Sequence, residues 1–148
     1  MKTKLMIMTM MLGSCAASVQ ADSMKPEDSV EYRQSAFRLM SYQLNVLNPL
    51  HRRQAYSDDA FAYRAETLSR LGELALEGFT EDSQSAASRT ASRAWDNRDD
   101  FDERMRRFIE TTAQMAEASR AGNDRQTRDL FRQTLQSCRA CHDQYRLD

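Results

Sequence analysis

Glycine and proline are scarce, four and two in 148 residues. A fold of many short strands needs those residues at its corners, so an all-β architecture is excluded and a helical one expected. Charge of one sign is also missing. Lysine and arginine number 21 against 22 aspartates and glutamates, interspersed rather than blocked, which leaves no basic stripe for nucleic acid. No apolar run is long enough to span a bilayer. Histidine and cysteine are rare as well, two and three in the whole chain.

What is present is ordered along the chain. Lys2 and Lys4 precede a short apolar run, residues 5–12 (LMIMTMML), and small residues follow to Val19-Gln20-Ala21. This is the three-part pattern of a secretory signal over residues 1–21, with cleavage expected after Ala21 and one domain over 22–148. Leu12-Gly13-Ser14-Cys15 also resembles the box at which bacterial lipoproteins are cut and acylated, so a lipid anchor through Cys15 is the alternative. Both routes export the mature chain, in bacterial terms to the periplasm or its membrane surface. Cys15 is then lost or lipidated, and the domain keeps two thiols, Cys138 and Cys141. Without Lys2 and Lys4, 19 basic residues face 22 acidic ones.

Four segments carry helical periodicity. Over 26–48, Val30, Arg33, Phe37, Met40, Leu44 and Leu47 alternate by three and four, the inner stripe of a bundle helix. Pro26 suits its first turn, and Pro49 is expected to stop it. Arg33 breaks the apolar stripe; a charge there is costly unless something anionic lies beside it. A second helix is expected from an N-cap at Ser57 to Glu77, with Phe61, Leu68, Leu71 and Ala75 inward and Gly78 as its stop. Residues 80–94 lack an apolar stripe and read as a long loop over the bundle's end, with Trp95 packed at its close. The third helix, 96–121, turns Phe101, Met105, Phe108, Thr112 and Met115 inward. After Gly122-Asn123 the fourth begins near Asp124 with Phe131, Leu135, Cys138, His142 and Tyr145 on one face. The fold class is all-α, an antiparallel four-helix bundle.

The chemistry is concentrated in Cys138-Arg139-Ala140-Cys141-His142. Structural zinc wants four ligands, and the mature chain offers only these three and His51, with neighbouring side chains obliged to converge on one ion. A redox dithiol needs a cysteine at a helix N-terminus, whereas this pair lies near a C-terminus, where the dipole raises the thiol pKa. Haem c fits. Each thiol adds across one vinyl group, and the next residue, His142, lies under the iron. Arg33 would then be offset by a haem propionate.

The chain resembles the cytochrome c′ family, the class II c-type cytochromes, over essentially its whole mature length. Residues 24–36 (MKPEDSVEYRQSA) follow the family's opening Lys-Pro-Glu-Asp…Tyr-Arg-Gln-Ser-Ala, and residues 138–146 (CRACHDQYR) follow its closing motif. Trp95 with Phe101 resembles the pair that opens the family's third helix, and Trp95 is expected at the cofactor. The resemblance implies one haem c, thioether links at Cys138 and Cys141, and axial ligation by His142. It sets Arg33 and Gln34 at the propionates, Arg146 beside the proximal histidine, Arg89 at the haem edge and Phe37 on the distal side. It further implies five-coordinate iron that takes up NO or CO and exchanges one electron, in a homodimer formed through the first two helices.

Met40 supplies the alternative. A thioether one turn from Phe37 is a competent sixth ligand, which would make a six-coordinate low-spin electron carrier. Enzyme activity of the peroxidase kind is not expected. It needs a distal acid–base group, Phe37 offers none, and His51 reads as a solvated residue of the first connector.

Overall fold

The computed structural model describes residues 24–147. The expected signal segment and Cys15 lie outside them. The element order is α1 (Pro26–Arg52), α2 (Asp59–Glu77), a 3-10 turn (Asp82–Gln84), the short α3 (Arg93–Asp96), α4 (Arg98–Arg120) and α5 (Asp124–Tyr145). The described residues contain no strand, only an isolated antiparallel bridge between Thr90 and Arg146. The four long helices form the expected bundle.

Most inner stripes are where periodicity set them. Val30, Met40 and Leu47 of α1, Phe61, Leu68, Leu71 and Ala75 of α2, and Phe101, Met105, Phe108, Thr112 and Met115 of α4 are all buried. Removing such side chains from water is what holds the helices together, at about 1.5–3 kcal/mol for each large one. Gly72 lets α2 and α4 approach, because a Cβ there would lie 2.7 Å from Ile109 Cγ1. Ser69 Oγ donates to the Ile109 carbonyl across the same contact, at 3.0 Å.

Four expectations are corrected. Pro49 does not stop α1, which continues to Arg52 with Pro49 inside it. The next turn is held by what it buries: Leu50 enters the core, and the His51 ring stacks on Phe131 at 4.8 Å between centroids. His51 is thus a packed helical residue, with Tyr56 Oη in hydrogen-bonding contact with its Nδ1 at 2.9 Å, rather than a solvated connector. Asp58, not Ser57, caps α2 by accepting from the Ala60 amide at 2.8 Å, while Ser57 Oγ donates to Asp124. Leu135 is exposed at 37%, and the buried face of α5 runs instead through Thr127, Leu130, Phe131, Thr134 and Tyr145.

Packing follows chain order, α1 on α2, α2 on α4 and α4 on α5, whereas α1 and α5 make little direct contact. His51, Tyr56, Phe61 and Phe131 close one end of that gap with aromatic rings. The other end stays open.

Candidate cofactor site

The last two turns of α5 face this opening. Cys138, Cys141 and His142 line one wall of a cavity of about 480 Å³, a size typical of small-molecule and cofactor sites. Phe37, Met40 and Leu44 of α1 stand opposite in sequence and share the lining, with Phe79 from the connector and Phe101, Met105 and Phe108 from α4. The helical register explains the wall. Positions 138, 141, 142 and 145 recur on one face, and Tyr145 fixes that face by donating from its hydroxyl to Asp100 of α4.

The two thiols are free and half-buried. Burial pushes Cys138 up to about 11, helped by the nearby Cys141, and burial raises Cys141 too. Neither is a thiolate at neutral pH, so the wall lacks the activated sulfur of a redox dithiol. His142 is pulled down from its ordinary value, first by partial burial and then by Arg146. A neutral imidazole keeps a ring nitrogen free for a metal.

Gln34, Phe37, Met40, Arg89 and Arg146 also line the cavity, as the sequence indicated. Arg89 and Arg146 are tied together through the chain's end: the Leu147 amide donates to the Arg89 carbonyl at 2.8 Å, and the Ala91 amide to that of Tyr145 at 2.9 Å. Two expected site residues are elsewhere. Arg33 does not line the cavity but lies behind the connector, 1% exposed. Its Nη1 donates to the Gly78 carbonyl at 2.7 Å and to Ser83 Oγ at 2.8 Å, and its guanidinium lies 4.9 Å from the Phe79 ring centre. Trp95 also stands back, its Nε1 donating to the Thr80 carbonyl and its ring backing Phe79 at 5.9 Å.

Phe79 is the wall residue that sequence reasoning missed. It stands 6.3 Å from Phe37 and 4.6 Å from Phe101, ring centre to ring centre. It directly follows Gly78, where a helix stop hid a residue with a packed role. Arg38 and Arg104, also on the lining, fall on polar stretches that gave no signal.

The residues present suit a macrocycle with carboxylate arms. Apolar rings form the walls, two thiols a turn apart lie on one of them, and an imidazole follows. Arg33 adds a specific mark of fit. Its Nε has no partner and no carboxylate neutralises it among the described residues, although burial lowers its pKa. An anion introduced nearby would correct that.

Fold and site together define a helical-bundle protein whose cavity suits a c-type haem. Known proteins narrow the class. The family model described as Cytochrome C′ matches residues 28–146, and the chain belongs to that family. Cytochrome c′ of Alcaligenes xylosoxydans xylosoxydans is 32% identical over 123 residues, covering 82% of this chain and 95% of the relative. Among solved structures, cytochrome c prime from Shewanella frigidimarina superposes with a TM-score of 0.76 at 30% identity, over 84% of this chain and 98% of that one. A nitrosyl complex of a variant of cytochrome c prime from Alcaligenes xylosoxidans reaches 0.77 at 29% identity, over 86% and 100%. Membership implies a haem c-type cofactor.

Proposed function

We propose that the protein is a periplasmic haem c protein that binds NO and CO and undergoes one-electron exchange. The observation that carries this is the placement of Cys138, Cys141 and His142 on one wall of an apolar cavity, in a chain of the cytochrome c′ family. Cys138 and Cys141 would hold one haem through thioether bonds, and His142 would give its iron a ring nitrogen. Bound there, the group supplies an iron centre that accepts a diatomic gas or a single electron. The chain's own side chains set the selectivity. Phe37, Leu44 and Phe79 offer no ligand, exclude water and leave access only to small uncharged molecules that displace a side chain. The nitrosyl complex of a relative supports the choice of ligand.

A second reading rests on Met40, which is buried yet lines the same cavity. Ligation by its sulfur would give a six-coordinate electron carrier. Visible spectra of the ferric and ferrous protein, before and after NO, separate the two. The first reading expects a broad ferrous band and a large change with NO. Sharp, resolved ferrous bands that NO leaves unchanged, and that Met40→Leu abolishes, would establish the second.

Export is part of the proposal, with cleavage after Ala21 or lipidation at Cys15 distinguished by the intact mass of the mature chain. A homodimer through α1 and α2 is another. It is supported by Leu39 and Tyr42 on α1 and Tyr63 and Leu74 on α2, which are large, apolar and between 41% and 63% exposed.

A further inference from the structure

We infer that the mouth of the cavity docks an acidic protein that donates one electron to it; this rests on the haem and electron-exchange reading above. Four arginines line the cavity and no aspartate or glutamate does. They come from separate elements: Arg38 from α1, Arg89 from the connector, Arg104 from α4 and Arg146 just past α5. The whole chain has a net charge of −1, so this is a local concentration and not the overflow of a basic protein.

Elsewhere some arginines are neutralised at helical spacing, while Arg52, Arg53, Arg125, Arg132 and Arg139 have no ion pair among the described residues. Arg70 pairs with Glu73, Arg98 with Asp102, and Arg106 and Arg107 with Glu103. At the mouth three of the four arginines, which lie together, lack that pairing. The residues three and four positions from Arg38 are Gln34, Ser35, Ser41 and Tyr42, and its guanidinium donates to Ser35 Oγ at 2.8 Å. Arg89 donates to the Leu147 carbonyl at 3.3 Å. Arg146 has no carboxylate partner among the described residues, although Asp143 precedes it by three positions. Only Arg104 is matched, by Asp100 at 2.6 Å.

Haem propionates take up part of this charge. Two carboxylates would meet the three lining guanidiniums that lack one among the described residues, those of Arg38, Arg89 and Arg146, and a positive excess stays at the rim. Arg38, Arg89 and Arg146 are exposed, and Arg33 is not. A concave site of one sign focuses its field outward and speeds encounter with the opposite sign by about 10- to 1,000-fold at low salt. A carboxylate-bearing surface of a donor protein has the charge and the breadth to span arginines on three elements. The docked donor is oxidised by one electron and the iron is reduced by one; no bond or proton moves.

The test follows reduction of the ferric holoprotein by stopped flow with three probes: reduced flavodoxin as the acidic protein, ferrous EDTA as a small anion and hexaammineruthenium(II) as a small cation. Raising salt from about 10 to about 200 mM is expected to slow the first two by about fivefold or more and to leave the third unchanged or faster. Arg38→Glu is expected to slow flavodoxin by about three- to tenfold with an unchanged visible spectrum, and Arg38→Gln by less. A flavodoxin rate indifferent to salt and to Arg38→Glu overturns the docking. If only ferrous EDTA responds, the mouth gathers small anions and the protein partner is rejected. A chain that carries no haem, or that none of the three reduces, brings down the functional reading beneath it instead.

Discussion

Two residues carry consequences out of proportion to their size. Gly78 ends α2 with φ −80°, a conformation open to any residue, so its need is for space. A Cβ would lie 2.8 Å from both Arg33 Cβ and the Ser29 carbonyl. Gly78→Ala is therefore expected to push α1 from the connector and destabilise the holoprotein by about 1–3 kcal/mol in urea unfolding. His51 is held neutral. Partial burial lowers its pKa first, and Arg132, Arg128 and Arg52 lower it further. The unfolded chain then binds more protons than the folded one below pH about 6.5. Stability is full above that value and is lost as pH falls through the depressed folded one. His51→Gln removes this component, so the gap between wild type and variant should narrow as pH drops from about 7 to about 5.

At the scale of elements, periodicity made four helices legible because each has one buried face, and Phe61, Met105 and Phe131 were all placed correctly by it. Local rules failed where distant packing overrode them. Pro49 reads as a stop, yet Leu50 and His51 find partners on other helices and hold the chain helical past it. Pro49→Ala restores an amide that can reach the Asn45 carbonyl, and should stabilise the protein by about 1 kcal/mol, since the freer unfolded chain offsets part of the gain. The site was legible in part. Two thiols and a histidine at helical spacing fall on one face, so the shared wall of Cys138, Cys141 and His142 was readable from the sequence alone. Whether a residue of the first helix or the connector faces the cavity or stands behind it depends on the path of residues 79–92. That path is set by Arg33 bonds to Gly78 and Ser83, which no sequence period encodes. The sequence therefore did not show that Arg33 and Trp95 stand behind the lining, and Phe79 went unseen.

At the scale of the whole molecule, α1 and α2 leave four large apolar side chains, Leu39, Tyr42, Tyr63 and Leu74, on the outside, none of them on the cavity lining. If two copies meet there, Leu39→Glu puts two charges into one apolar contact. Sedimentation should then show dissociation at concentrations about tenfold or more above those for the wild type, with the visible spectrum retained. A spectrum lost together with the dimer would mean that the pairing supports the cavity. The carboxyl end has a more far-reaching role. Residues 145–147 reach back to 89–91, and Tyr145 is anchored to Asp100. In most bundles a frayed final turn is expendable. Here residues 145–147 shut the container that the other helices only outline, so a disruption confined to them would leave a largely helical protein unable to keep its pigment.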